Sequence, residues 1–295
     1  MRHVWTGCLI CLVLLGCDRN SSDSSKSGAG GENASRIAIV ASVQTLADMA
    51  QRVAGNWAEV TWLVEAGRRP EQVEVDAEAR QRAGRAAAVI IAGPWDTWAL
   101  ADLSADARTA HLVEPSRMAA ARDADPKAYL WLDPPVMREM VERLRGRLGV
   151  LDPKRDAALR ASAAAYTAEV DTVDREFAAA LAPFKGRKVL LVRPVWGPML
   201  ARYGLEPVAP VNVTEERLTA GDFKDRLIPA ARAAGVKFIY VDDATPRAVR
   251  QQIEERTGLT ALTLDAVGTS ASAGRSTWAK VMRYNLERVC QGLQP

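Results

Sequence analysis

Residues that commonly carry out chemistry are scarce in this sequence. The chain has two histidines, and His3 lies in an N-terminal segment that we expect to be removed, which leaves His111. A Ser-His-Asp or Cys-His arrangement would then have one candidate base, and His111 falls at the start of a predicted strand. Zinc hydrolase motifs need several histidines. The sequence therefore predicts a protein that is not an enzyme.

Other catalytic signatures are missing from the sequence or have plainer explanations. No P-loop or dinucleotide fingerprint occurs, and the glycine cluster at residues 28–31 lies in a polar stretch. Asp242 and Asp243 follow an apolar run, where they could form a carboxylate pair for acid–base chemistry. Helix capping before Pro246, with solvation at the edge of a cleft, is a more common use of such a pair.

Residues 1–17 have the order of a secretory signal peptide. A basic start precedes an apolar run at residues 7–15, which is roughly half the length needed to cross a bilayer. The segment Leu14-Leu15-Gly16-Cys17 resembles the lipobox of bacterial lipoproteins, which implies that Cys17 is acylated and becomes the new N-terminus. The alternative is an ordinary signal peptide in which Cys17 has no role.

Residues 18–35 are nearly all serine, glycine, asparagine and charged groups, so they cannot bury enough apolar surface to fold. We expect a flexible tether. Together with a lipid on Cys17, it would hold a domain at a membrane, facing the periplasm or the cell exterior. Cys290 would be the other cysteine left in the mature chain, so no intrachain disulfide is expected.

The remaining sequence predicts two α/β lobes around one long helix. Apolar runs alternate with helical patterns, which is typical of parallel sheets covered by helices on both faces. Asp152-Pro153 is a strong helix start, and apolar residues then recur at helical spacing as far as Leu181. We expect an N-terminal lobe at 36–150, a linking helix at 151–185 and a C-terminal lobe at 186–295.

The binding site of such a fold is expected between the lobes. Ligands of open α/β sheets bind beyond the carboxyl ends of the strands, which points to the loop at 65–75, the end of the strand at 189–192, and Asp265. Basic and acidic residues are interleaved, so the sequence pI of 8.7 does not indicate a nucleic-acid surface.

Four motifs, in this order along the chain, carry a family resemblance. They are Pro70 to Val75, Asp125 to Pro134 with its Trp-Leu-Asp-Pro run, Val192 to Trp196, and Arg202-Tyr203-Gly204-Leu205. Two further matches follow them, Gly235 to Val241 and Leu264-Asp265. Over residues 36–292 the chain resembles the solute-binding proteins of ABC importers for zinc and manganese. The resemblance implies two lobes joined by a rigid helix, a membrane permease as partner, and a monomer.

The resemblance also implies four metal-ligand positions, which fall on Glu71, Tyr129, Arg193 and Asp265. Family members usually carry histidine at the first three positions, and this sequence has none there. A histidine-rich loop typical of the family is also absent, since residues 116–127 contain no histidine.

The replaced ligands leave several functions open. Glu71, Asp265 and a phenolate Tyr129 would form an oxygen donor set, which favours manganese, iron or another hard cation over zinc. Arg193 would repel a cation, so it could instead bind an anion that accompanies the metal, or close the cleft through a salt bridge with no metal. The alternatives are an anionic or zwitterionic small molecule bound through Arg193, with Tyr129 and Trp131 or Trp196 as walls, and a ligand-free structural or regulatory lipoprotein.

Overall fold

Two parallel sheets organise the part of the chain described by the computed structural model, which covers residues 36–96, 112–210, 218–269 and 274–294. Within those ranges each sheet has four strands, and the alternation of apolar runs and helical patterns predicts this parallel α/β arrangement. The signal peptide with Cys17, the tether and His111 lie outside the described residues.

The first sheet has the strand order β2-β1-β3-β4. Strands β1, β3 and β4 are mostly buried on both faces, which explains why their sequences are almost entirely apolar rather than alternating, whereas the edge strand β2 is partly exposed. The elements of this half are β1 Ile37–Val43, α1 Gln44–Ala54, β2 Ala58–Val64, α2 Ala77–Arg85, β3 Ala88–Ile90 and β4 Leu112–Val113.

The second sheet repeats this arrangement with the order β6-β5-β7-β8. Short strand β6 was not predicted, because Glu206-Pro207-Val208 lacks an apolar run. A π-helical turn, Asp222–Leu227, continues directly as an α-helix at Ile228–Ala234. The other elements are β5 Lys188–Leu191, α5 Gly197–Arg202, β6 Glu206–Val208, α6 Ile228–Ala234, β7 Phe238–Asp242, α7 Arg247–Thr257, β8 Thr260–Leu264 and α8 Trp278–Leu293.

Two long helices, α3 (Pro134–Leu151) and α4 (Asp156–Leu181), connect the halves. The predicted single helix at 151–185 is too long at both ends. The Asp152 side chain accepts a hydrogen bond from Lys154 N and caps a short 3-10 turn, after which α4 runs for 26 residues. Helix α3 was not predicted, although its buried residues recur at helical spacing.

A charged network ties α4 to both of its neighbours. Asp133, just before α3, lies 3.3 Å from the Arg202 guanidinium of α5. Arg202 also lies 3.3 Å from Asp174 of α4, and Arg138 of α3 contacts Asp171 and Asp174. Burial raises the pKa of the Asp133 carboxyl to about 6, with the charge of Asp174 adding to this effect and Arg202 opposing it.

Contacts between the halves bury polar groups as well as apolar ones. The Trp131 indole donates to the Ala266 carbonyl at 3.0 Å, and the Trp278 indole donates to the Trp131 carbonyl at 2.9 Å. Tyr129 N donates to the Val195 carbonyl at 3.1 Å. One apolar core contains residues from both sheets. These contacts hold the two sheets in one fixed arrangement.

Two further features bear on the surroundings of the protein. Across the described ranges, no helix is both long enough and apolar enough to cross a membrane. The Cys290 thiol of α8 is free and half-buried, and burial raises its pKa, which makes it a weak nucleophile.

Candidate ligand-binding cleft

The carboxyl ends of the strands bring the candidate residues together. Glu71 lies in the short turn Pro70–Gln72 that follows β2, and Arg193 is the second residue after the end of β5. Asp242 is the last residue of β7, and Asp265 comes immediately after β8. This is the edge at which open α/β sheets bind ligands, so the predicted place of the site is where these side chains lie.

Arg193 is the centre of the cleft. Its Nη2 donates to Glu71 from the first half in a close ion pair, and its Nη1 contacts Asp242 of the second half at 2.5 Å. Nη1 also lies 2.8 Å from the Tyr129 hydroxyl. Arg193 is only 6 % exposed. A buried guanidinium therefore bridges carboxylates from both halves of the molecule.

The electrostatics of this cluster keep Arg193 charged and Tyr129 neutral. Burial acts to lower the pKa of Arg193, but the nearby carboxylates of Asp242 and Glu71 outweigh it, and the pKa ends above its ordinary value. Burial, helped by the charge of Asp242, raises the pKa of Tyr129 well above its ordinary value. The Tyr129 hydroxyl can donate to Glu71 at 3.2 Å. The expected phenolate is thus disfavoured, because the phenol is buried beside carboxylates.

Asp265 is held by a different set of partners. Its Oδ1 accepts hydrogen bonds from the Val267 and Gly268 amides at 3.0 and 2.9 Å. Its Oδ2 lies 3.1 Å from Arg275 Nε, and Arg275 also pairs with Asp243 at 3.2 Å. Burial raises the pKa of Asp265, with the Gly268 amide and Arg275 partly offsetting the effect.

Each of the four carboxylates in this cleft forms an ion pair with an arginine. Arg193 pairs with Glu71 and Asp242, and Arg275 pairs with Asp243 and Asp265. Arg69, also buried, lies 3.6 Å from Asp242. Within the described ranges, no group of three histidine, cysteine, aspartate or glutamate side chains is arranged to hold a metal ion.

A small cavity lies behind the Arg193 cluster. Tyr129, Trp196, Asp242 and Asp265 are among the residues that line it, and its volume is about 10 Å³. Roughly one water molecule fits such a space. The Trp196 indole donates to Asp242 Oδ1 at 2.5 Å, so the same carboxylate contacts both the cavity wall and Arg193.

Only some residues of this cluster were predicted from the sequence. Glu71, Tyr129 and Arg193 lie in mutual contact, whereas Asp265 turns towards Arg275. The interpretation of Asp242 as a helix cap is wrong, because its side chain binds Arg193 and Trp196, and α7 has no side-chain cap. Its place at a strand end was the signal that could have identified it. Arg275 had no such signal.

The fold and the strand-end cleft define a two-lobed solute-binding protein. The family model described as "Zinc-uptake complex component A periplasmic" (ZnuA) matches residues 39–292, and the chain belongs to this family. The predicted resemblance is thereby confirmed. The family consists of solute-binding proteins rather than enzymes, which confirms the prediction that the chain is not an enzyme.

Curated relatives match about half of this chain. The zinc-binding protein AdcA of Streptococcus pyogenes serotype M6 is 25% identical over 163 residues, which is 54% of this chain and 32% of AdcA. The high-affinity zinc uptake system protein ZnuA of Paracoccus denitrificans is 27% identical over 165 residues, 54% of this chain and 48% of that protein. The chain thus matches between about a third and a half of these relatives' lengths.

Solved structures share the fold over most of the chain. A ZnuA crystal structure has a TM-score of 0.73 at 19% identity, and the match covers 88% of this chain and 100% of that one. The metal-dependent lipoprotein YcdH from Bacillus subtilis has a TM-score of 0.71 at 15% identity, with 87% and 99% covered. The predicted pair of parallel α/β lobes joined by a long helix is confirmed.

Proposed function

We propose that this chain is the extracytoplasmic solute-binding component of a metal-type ABC importer, acting as a monomer beside a membrane permease. Membership of the family supports this role, and the relatives AdcA and ZnuA are named for zinc binding and zinc uptake. A metal would enter the cleft as cargo, bound by Glu71, Tyr129 and Asp265, with Asp242 as a further oxygen donor.

The observation that carries this proposal is the family match over residues 39–292, and the position of Arg193 decides how a metal could bind. Its guanidinium lies among three of these donors and supplies the positive charge that a metal ion would otherwise bring. A metal must therefore compete with a cation that belongs to the protein. We infer that the native cleft binds a bare divalent ion weakly, and that access to the oxygen donors requires Arg193 to withdraw.

Replacing Arg193 with methionine tests this competition. Methionine fills much of the same space without a charge, so Glu71 and Asp242 are left in need of a cation. We expect the affinity for Mn²⁺ to rise at least about tenfold, the equivalent of one weak charge-assisted contact. The measurement is calorimetric titration of the metal-stripped wild type and variant with MnCl₂ and with ZnCl₂. Oxygen donors favour the harder Mn²⁺.

The double variant Arg193→Met with Glu71→Gln is the matched control, because it lacks both the guanidinium and one of the donors. It should lose most of the gain in affinity. A wild type that binds Zn²⁺ or Mn²⁺ as tightly as Arg193→Met would show that Arg193 is not a competitor. If neither the wild type nor Arg193→Met binds Mn²⁺ or Zn²⁺, the result would favour the ligand-free alternative, in which the cleft is not a metal site.

Binding of a free anion directly by Arg193 has less support. Both terminal nitrogens of its guanidinium already contact carboxylates of the protein. An anion at these two nitrogens would have to replace Glu71 or Asp242, and it would enter a cleft that already holds four acidic side chains around three arginines.

We also propose that a lipid on Cys17 holds the protein at a membrane. The support is the apolar run at 7–15, the Leu-Leu-Gly-Cys segment and the polar stretch at 18–35. Labelling cells with radioactive palmitate should mark the wild type but not Cys17→Ser, and the variant should leave the membrane fraction. Equal labelling of Cys290→Ser and wild type is the control. Label retained by Cys17→Ser would contradict the anchor.

A further inference from the structure

A second, larger recess opens on the outer side of the Arg193–Glu71 ion pair. Its volume is about 420 Å³, which lies in the range of sites for small organic molecules. Pro94 and Trp95 line it from the first half, and Pro194 and Val195 from the second. We call it the outer cleft. A bare metal ion would leave nearly all of this apolar-walled space unfilled.

The charges around the outer cleft are mixed and balanced. Glu71 and Asp125 bring two negative charges, and Lys127 and Arg193 bring two positive charges. Lys127 is exposed, and no salt bridge of its ammonium group occurs within the described ranges. A ligand that carries a single charge would find an unmatched group nearby. A zwitterion can pair with both signs at once.

The aromatic wall is held rigidly. The Trp95 ring lies edge-on to the rings of Tyr129 and Trp131, with centroids 6.3 and 6.4 Å away. A Cβ atom on Gly93 would lie 2.5 Å from the Trp95 ring, so only glycine allows this position. The Asp96 side chain accepts from Ala92 N at 2.7 Å and fixes the loop. A rigid wall binds a ligand without ordering cost.

Two donors of the lining residues lack an acceptor. Within the described ranges, Nε1 of Trp95 and Nε of Arg193 are buried without a hydrogen-bond partner. Buried polar groups are nearly always paired in native proteins. The carboxylate of a ligand bound against these side chains would supply the missing acceptor.

From these features we infer that the outer cleft binds a zwitterionic organic molecule with an aromatic or apolar portion, such as an amino acid with an apolar side chain. The apolar portion packs on Trp95 and the two prolines. The carboxylate of the ligand faces Lys127 and Arg193, and the ammonium group of the ligand faces Glu71 and Asp125. This binding is separate from the metal competition proposed above, because the Arg193–Glu71 pair stays intact.

Three probes of nearly equal size test the inference. L-Phenylalanine carries both charges, 3-phenylpropanoate only the negative one and 2-phenylethylamine only the positive one. Titrations monitored by calorimetry, with EDTA present so that metal plays no part, should give saturable binding of phenylalanine. Each singly charged probe should bind about tenfold more weakly, since one charge-assisted contact is lost.

Lys127→Gln should weaken the binding of phenylalanine by about tenfold and leave the fold unchanged, because Lys127 is exposed. Lys154→Gln, at an exposed lysine before α4, is the matched control and should bind like the wild type. The inference is overturned if no probe binds saturably at millimolar concentration, if the three probes bind equally, or if Lys127→Gln binds like the control. A negative result with these probes does not bear on the competition between Arg193 and a metal ion, because that competition is measured by metal titration alone.

Discussion

Arg193→Met is expected to lower the free energy of unfolding by about 3 to 5 kcal/mol at neutral pH. Removing one partner of a buried ion pair leaves an uncompensated charge in a poorly solvated place. Here Glu71 loses its partner, and Asp242, which is 4 % exposed, keeps Arg69 at 3.6 Å as its cationic partner. Urea unfolding of the metal-free proteins, followed by circular dichroism, measures the difference.

Arg283→Met is the matched control for this prediction. Arg283 pairs with Glu176 through two hydrogen bonds, but both side chains are more than a third exposed. Removing this pair should lower the free energy of unfolding by less than about 1 kcal/mol. Adding Asp242→Asn to Arg193→Met should recover part of the lost stability, since a neutral amide needs no cation. Equal losses in Arg193→Met and Arg283→Met would mean that the cleft ion pairs contribute no more than surface pairs do.

Asp133→Asn is expected to remove a pH dependence from the stability of the protein. Burial raises the pKa of Asp133 from 3.8 to about 6. The folded state therefore binds more protons than the unfolded state between these values, and stability falls as the pH rises through about 6. Between about pH 4 and pH 7 the wild type should lose about 2 kcal/mol relative to the variant.

Urea unfolding at several pH values measures this slope. Asp171→Asn is the matched control, because Asp171 belongs to the same network through Arg138 but its side chain is 40 % exposed. The control should follow the wild type across the range. Parallel curves for wild type and Asp133→Asn would show that the Asp133 carboxyl does not release its proton near pH 6 in the folded state.

The cleft differs from a metal-binding site mainly in where its positive charge comes from. Four acidic side chains, Glu71, Asp242, Asp243 and Asp265, converge on the strand ends, and Arg69, Arg193 and Arg275 lie among them. An arrangement of this kind is nearly neutral without any bound ion. It holds the two halves together by itself, which is consistent with the hydrogen bonds that Tyr129 and Trp131 make across the same boundary.

The periodicity of apolar residues in the sequence was sufficient to predict most of the helices and strands. Buried parallel strands must be apolar throughout, and helices must repeat their apolar residues every three or four positions, so both are visible in local sequence. Helix α3 was not predicted even though it has this spacing, because Gly146, Gly149 and its many charged residues weaken the pattern. Strand β6 was not predicted because three residues are too few to show a period.

By itself, the sequence determined the α/β class, the long connecting helix, the family and the loss of histidine at the ligand positions, since these depend on residue type and local spacing. Tertiary structure decided which charges meet. Arg193 pairs with Glu71 and Asp242, and Arg275 pairs with Asp265, across sequence separations of 10 to 122 residues. The energy of an ion pair depends on distance and burial, and neither can be read from positions so far apart in the chain.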